Sequence, residues 1–499
     1  MRRIAALLVS LAACPDGQVA GEATQGPGSG GEASTLASSE TGSPTGTGGG
    51  TSGPGDTGVE PPPPGSVRFA VIGDFGLDIQ PTRDVAAMVR GWAPDFVATV
   101  GDNNYFTGSA DTIDVNIGKH YHAFIAPYRG SYGAGAAENR FFPCPGNHDW
   151  DGGSLEPYFD YFELPGNERY YRVRRGPVEL FSLDSDPREP EGVAPGTTQG
   201  LWLEAALADS DASFKVVLMH HPPRSSGYHR DAVWMQWPFA AWGADLLLTG
   251  HDHDYERIVA DGVPQIVLGT GGAALRPFTI ETVGSQRGHA DTYGALRITA
   301  DETRMVIDEV APGGLLVDRL QLFAGAPTEW STVIAAGASW RYHERDAGPG
   351  WNALEFADAD WPEGAAPLGY GAGGEGTTLP GGASPVKPMT TYLRHRFSVG
   401  DGSFAEGDPL RLRLAVDDGA VVYLNGVEVY RINLPEGPIV AATRAGLAVS
   451  NWFTPRMSET LIDGAALVVG ENVLAVELHQ HYAFSSDLRL DLELAAGVP

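Results

Sequence analysis

From residue 67 to about 323, short apolar runs alternate with stretches of helical period, the pattern of an α/β core. The apolar runs predict strands over 67–72, 96–100, 141–143, 179–183, 215–219 and 246–249. The amphipathic stretches predict helices over 83–92, 115–125, 201–207 and 234–242, which would cover both faces of the sheet. Beyond about 323 the chain turns to short alternating segments, as at 410–416, 421–424 and 473–478. Asp417-Asp418-Gly419 and Asn425-Gly426 punctuate them as hairpin signals, so this part reads as an all-β sandwich. No short period recurs, which speaks against a solenoid.

The N-terminal region has neither pattern. Arg2 and Arg3 precede an apolar stretch over 4–13 that is too short to span a bilayer as a mature helix, and it reads as an export leader. Its end, Leu11-Ala12-Ala13-Cys14, resembles the bacterial lipoprotein signal, in which the chain is cut before the cysteine and the thiol is acylated. Residues 15–66 are Gly, Ser, Thr and Pro with almost no large apolar side chain and cannot bury enough surface to fold. Such a tether reaches roughly 40 Å in r.m.s. terms, enough to hold a globular part clear of a membrane. The expected division is a leader over 1–14, a linker over 15–66, an α/β domain over 67–325 and a β-sandwich over 326–499. The expected location is outside the cytoplasm, lipid-anchored to a bacterial membrane and facing the periplasm or the cell exterior.

Charge narrows the chemistry. A formal net charge of -30 over 499 residues opposes binding to nucleic acid and anionic lipid, since both require Lys and Arg to displace counterions. The same field repels a phosphate ester, so a phosphatase on this chain needs locally fixed positive charge, which metal ions would supply. The 2 cysteines, Cys14 and Cys144, make no disulfide framework.

Five short motifs fall at or just beyond the predicted strand ends, where open α/β sheets place their ligand sites. They are Asp74-Phe75-Gly76, Gly101-Asp102-Asn103-Asn104-Tyr105, Gly146-Asn147-His148-Asp149, Val217-Leu218-Met219-His220 and Gly250-His251-Asp252-His253. Together they offer carboxylates, a phenol, an amide and imidazoles but no thiolate, a set suited to iron, zinc or manganese. The glycines beside the ligands suggest sharp turns with unusual dihedrals. His251 and His253 are spaced to serve two adjacent ions, and one carboxylate such as Asp102 is suited to bridge them. Asp74-Phe75-Gly76 also spells a kinase triplet, but no kinase Gly-rich or catalytic loop accompanies it.

In this order the five blocks resemble the purple acid phosphatases, a branch of the calcineurin-like metallophosphoesterases, and Tyr105 is the residue that marks the branch. The resemblance implies an αββα sandwich of mixed sheets, here followed by an all-β jelly-roll sandwich. It implies a ferric ion held by Asp74, Asp102, Tyr105 and His253, and a divalent ion (Fe, Zn or Mn) held by Asp102, Asn147, His220 and His251. In the family a metal-bound hydroxide attacks in line at phosphorus. His148 matches the histidine that assists binding or the leaving group, and His229 resembles the second such histidine. His221 is read as a loop residue. His120 and His122 are read as packing, and Cys144 as a small apolar side chain beside the site.

The activity so implied is hydrolysis of phosphate monoesters. A phosphodiesterase or nucleotidase on the same metal core is the alternative, and a surface glycan-binding protein with a vestigial metal domain is the second. Residues from about 329 to 494 resemble galactose-binding-like jelly rolls, which suggests a glycan or a neighbouring protein as partner. Trp330, Trp340, Trp351 and Trp361 are read as core or loop anchors rather than sugar platforms.

Overall fold

The computed structural model describes residues 63–402, 404 and 407–498; the leader, Cys14 and the linker as far as residue 62 lie outside the described residues. The N-terminal half holds thirteen strands: β1 (Val67–Ile72), β2 (Phe96–Thr99), β3 (Phe141–Pro143), β4 (Tyr171–Arg175), β5 (Val178–Ser182), β6 (Phe214–Leu218), β7 (Leu246–Thr249), β8 (Tyr255–Ala260), β9 (Val263–Leu268), β10 (Ser285–His289), β11 (Ala295–Ala300), β12 (Arg304–Ala311) and β13 (Leu315–Phe323). They form two mixed sheets, ordered β13-β12-β11-β1-β2-β3 and β10-β8-β9-β7-β6-β5-β4. Pairing is parallel along β1-β2-β3 and along β9-β7-β6-β5, and antiparallel elsewhere.

Alternate residues on the central strands serve two different cores, as the two-residue side-chain period requires. Val216, Leu218, Leu246 and Leu248 pack with Phe69 and Val71 of the facing sheet, and the same core takes in Val85, Val89 and Trp92 around the helix Gln80–Gly91. Val217, Leu247 and Phe181 turn the other way, onto Leu203 and Leu207 of the helix Thr198–Asp209 and Phe239 of the helix Phe239–Trp242. The result is a helix-sheet-sheet-helix sandwich.

Two predicted helices are broken. The stretch over 115–125 is instead Ala110–Ile113, a π-helical turn Asp114–Gly118, Lys119–Tyr121 and a 3₁₀ turn His122–Phe124. The Asp114 carboxylate accepts from Tyr128, Tyr161 and the Ser131 N–H, and Asn116 turns inward to donate to Asn104 Oδ1 at 2.8 Å. The stretch over 234–242 is a 3₁₀ turn Val233–Met235 and a separate helix Phe239–Trp242, because Pro238 between them cannot continue a helix. A third difference is larger: β8 to β13 form a run of strands with no helix between them, β8 to β10 in one sheet and β11 to β13 in the other, where alternation with helices was expected. Its alternation is masked by charge, since Arg297 and Arg319 both reach the buried Asp308, at 3.0 and 2.6 Å.

Past β13 the strands make two further sheets. One contains Leu410–Asp417 paired with Leu488–Gly497, the other Thr390–Val399 paired with Gly470–His479, and Leu412, Leu492, Leu474 and Val476 meet in one core. Trp340 is fully buried, Trp351 packs on Tyr392, Trp361 stacks on His343 and Trp330 lies under Arg411. The sandwich also lends a short strand, Leu434–Pro435, to the edge of β13.

Candidate metal centre

The ligand-bearing motifs lie where strand ends become loops. Asp74 follows β1, Asp102 follows β2, Asn147 and His148 follow β3, His220 follows β6, and His251 and His253 fill the turn between β7 and β8. Three of these residues sit in left-handed backbone: Asp74 at φ 55°, Asp102 at φ 50° and His251 at φ 72°. Non-glycine residues adopt this region at a cost, and such strain concentrates at functional sites. The expectation that the neighbouring glycines carry the unusual dihedrals is corrected here, because of Gly73, Gly101, Gly146 and Gly250 only Gly101 has a positive φ. What these glycines provide is room. A Cβ on Gly101 would enter the His220 ring, one on Gly146 the Asp102 carboxylate, and one on Gly250 would crowd Asp74 Oδ2.

The side chains converge. Donor atoms of Asp74, Asp102 and His220 lie within 4.8 Å of one another, and all three residues are buried. Asp102 Oδ1 is 3.3 Å from His220 Nε2, which is also 3.0 Å from Asn147 Oδ1. Tyr105 Oη is 3.2 Å from both Asp74 Oδ1 and His253 Nε2. The His251 N–H donates to Asp74, and its ring packs 5.0 Å from that of His220. Each of the seven sequence-identified ligands is therefore within one neighbour of Asp74 or Asp102.

Ring orientations are set from behind. His220 Nδ1–H donates to the Val100 carbonyl at 2.9 Å and His253 Nδ1–H to the Ala274 carbonyl at 2.8 Å, so both present Nε2 to the centre. His148 Nδ1–H donates to the Phe106 carbonyl at 2.8 Å, its N–H donates to Asp102 Oδ1 at 2.9 Å, and its Nε2 lies 3.9 Å from Asp102 Oδ2. His229 lies over the His251 ring at 4.2 Å, but its Nε2 accepts a hydrogen bond from Arg276 at 2.6 Å.

The electrostatics fit a cation. Burial disfavours a charged His220, yet the carboxylates of Asp102 and Asp74 outweigh it and push its pKa up to about 10. Burial likewise opposes the charge of Asp102, but His220 and His148 hold its carboxyl well below the usual range. Burial and the same two carboxylates drive the Tyr105 phenol well above its ordinary value, so a phenolate forms here only against a strong positive charge. Asp254 adds a further buried carboxyl with neither oxygen hydrogen-bonded. A site this rich in buried oxygen donors, with only imidazoles to balance it, matches hard or borderline metal ions.

Three residues matter more than sequence reasoning allowed. His221, read as a loop residue, is buried, bonds Ser185 Oγ through Nδ1 and packs 4.5 Å from the His251 ring. Burial and the neighbouring His220 lower its pKa to about 3, so it packs as a neutral ring. Its place directly after a ligand was the available signal. Asp149 accepts from the Gly146 N–H at 2.8 Å, the Asn103 N–H at 3.2 Å and Asn103 Nδ2 at 2.9 Å, and so fixes the turn that offers Asn147. Asp149→Ala would strand those buried donors; the expected loss is about 1–3 kcal/mol of stability, read from the urea midpoint. Arg276 is the third, and no motif announces it. His120 pairs with Asp78, His122 bonds the Gly118 carbonyl and Cys144 is buried, all three as expected.

Residues 67–255 match the calcineurin-like phosphoesterase family. A tartrate-resistant acid phosphatase type 5 of Rattus norvegicus is 26% identical over 248 residues, covering 42% of this chain and 73% of that protein. Purple acid phosphatase 17 of Arabidopsis thaliana is 27% identical over 253 residues, covering 43% and 72%. Among solved structures, a purple acid phosphatase from yellow lupin (Lupinus luteus) seeds aligns over 52% of this chain and 54% of its own, at 19% identity and a TM-score of 0.44. Residues 67–255 therefore form a calcineurin-like phosphoesterase domain, which makes the chain a phosphoric ester hydrolase.

Proposed function

We propose that the chain hydrolyses phosphate monoesters at a dinuclear metal centre in which Asp102 is the shared ligand. The observation that carries this reading is the convergence of Asp74, Asp102 and His220 within 4.8 Å inside the phosphoesterase segment. The relatives named as acid phosphatases support the monoester. Asp74, Asp102, Tyr105 and His253 would hold a ferric ion, and Asp102, Asn147, His220 and His251 a divalent one. When bound, such ions supply positive charge for the phosphoryl oxygens and lower the pKa of an attacking water.

The protein's own groups orient the reaction. Carbonyl bonds at Nδ1 keep the Nε2 atoms of His220 and His253 inward. His148, tied the same way to the Phe106 carbonyl and half-exposed, is the group suited to carry a proton to the leaving oxygen at its Nε2. His229 is less suited to that task, because its Nε2 already accepts from Arg276; its part is to hold that guanidinium at the mouth. The intact donor set speaks against a vestigial metal domain.

Export, acylation at Cys14 and the linker over 15–66 remain part of this reading. No helix among the described residues is long and apolar enough to cross a membrane. The division into a catalytic domain over 67–325 and a galactose-binding-like sandwich over 326–499, with a glycan or surface protein as its partner, belongs to the same proposal.

Metal content and a visible spectrum of the purified protein test the centre. Two ions per chain, one of them iron, are expected, with a broad visible band that Tyr105→Phe removes. A colourless protein that takes up no iron, zinc or manganese would overturn it. A panel of mono- and diesters then separates the phosphatase from the phosphodiesterase alternative.

A further inference from the structure

We propose that Arg276 is a specificity residue that selects phosphate esters carrying a second anionic group next to the phosphoryl group being transferred. This rests on the phosphatase reading above and names the substrate class of the same site.

Arg276 lies in the loop between β9 and β10, and its side chain stands at the mouth of the centre. Its Nη1 donates to His229 Nε2 at 2.6 Å, and the His229 ring lies 4.2 Å from that of His251. The guanidinium also sits 5.4 Å above the exposed ring of Tyr228. A substrate phosphoryl group at the centre would therefore have this guanidinium one side chain away. Among the described residues it pairs with no carboxylate. In a chain of net charge -30 with 63 Asp and Glu, an arginine at the rim left without an acidic partner is informative. A guanidinium has five N–H donors in a planar fork that fits phosphate or carboxylate in two-point contact.

The loop is also braced so that the fork is held in advance. The Arg276 N–H donates to the His253 carbonyl, and the Ala274 carbonyl accepts from His253 Nδ1. Thr279 and Ile280 donate to the Ser226 carbonyl, which fastens the loop to the segment bearing Tyr228 and His229. From the C-terminal sandwich, Phe453 packs edge-on against Phe278 at 5.4 Å and Arg456 pairs with Glu281 at 2.9 Å. Ordering done before binding is not charged against affinity.

The test compares kcat/KM of wild type, Arg276→Gln and Arg276→Lys on p-nitrophenyl phosphate, pyrophosphate and fructose 1,6-bisphosphate. Arg276→Gln is expected to lower the ratio of a two-phosphate substrate to p-nitrophenyl phosphate by about 10- to 100-fold, mainly through KM, with Arg276→Lys in between. A fall that includes pyrophosphate would support an adjacent second group, and one confined to the bisphosphate, whose second phosphate is distant, would overturn that adjacency. Unchanged ratios in a variant with wild-type metal content and melting temperature would overturn the inference and leave the phosphatase reading intact. Absence of hydrolysis of all three by wild type would sink both.

Discussion

Replacing Asp102 by asparagine is expected to lower kcat on any phosphate ester by at least about 10³-fold and to reduce bound metal below two ions per chain. A single preorganised charge-stabilising group is already worth about 10²–10³-fold, and Asp102 serves more than one purpose. Its Oδ1 faces His220 Nε2 at 3.3 Å and accepts the His148 N–H at 2.9 Å, while its Oδ2 faces His148 Nε2 at 3.9 Å. Asparagine keeps the shape and the hydrogen bond to His148 but removes the charge that two cations would share. Because Asp102 already sits at φ 50°, a backbone region that asparagine tolerates, the substitution adds little strain. Metal analysis and differential scanning with and without added zinc read the effect independently of turnover. Full metal content together with wild-type kcat would refute the shared-ligand role.

Much of this centre was legible in the sequence because its residues cluster in short blocks at strand ends, four of the five beside a glycine. All seven predicted ligands meet at one place, and the α/β character follows from the apolar runs, while the αββα layering was what the resemblance implied. What was not legible has physical causes. Positive φ falls on Asp74, Asp102 and His251, while Gly101, Gly146 and Gly250 are needed for room, since a Cβ there would meet His220, Asp102 or Asp74 from another loop. That is long-range packing, invisible to local pattern. Arg276 belongs to no block and gains its place through a loop fastened at His253, Ser226 and Phe453. The run of strands from β8 to β13 was hidden by inward-facing charges, of which Asp308 with its two arginines is one example.

A buried ion pair inside the catalytic half, whose arginine also reaches the sandwich, is the second site where a large effect is expected. Arg257 on β8, four positions beyond the ligand His253, has no solvent-exposed side-chain area, and neither does its partner Asp318 on β13. The guanidinium meets Asp318 through Nε at 2.7 Å and Nη2 at 3.1 Å, while Nη1 donates across the interface to the Glu459 carbonyl at 2.6 Å. Tyr255 donates to the same carboxylate at 2.8 Å. Arg257→Met leaves that carboxylate buried with too few donors and is expected to cost about 3–5 kcal/mol, whereas Arg257→Met with Asp318→Leu removes both charges and should recover most of the loss. The pH dependence has a definite sign. Burial opposes the charge on Asp318, but Arg257 and Arg287 outweigh it and depress its pKa below the usual carboxylate range. Its stabilisation is therefore present above the ordinary carboxylate pKa and is lost as pH falls through the depressed folded value. Urea titrations at neutral and acid pH should show the wild-type advantage over Arg257→Met shrinking on the acid side. A single variant as stable as wild type at neutral pH would mean that Asp318 is solvated in solution, and that the two halves are held by the Phe278–Phe453 contact and the Leu434–Pro435 strand instead.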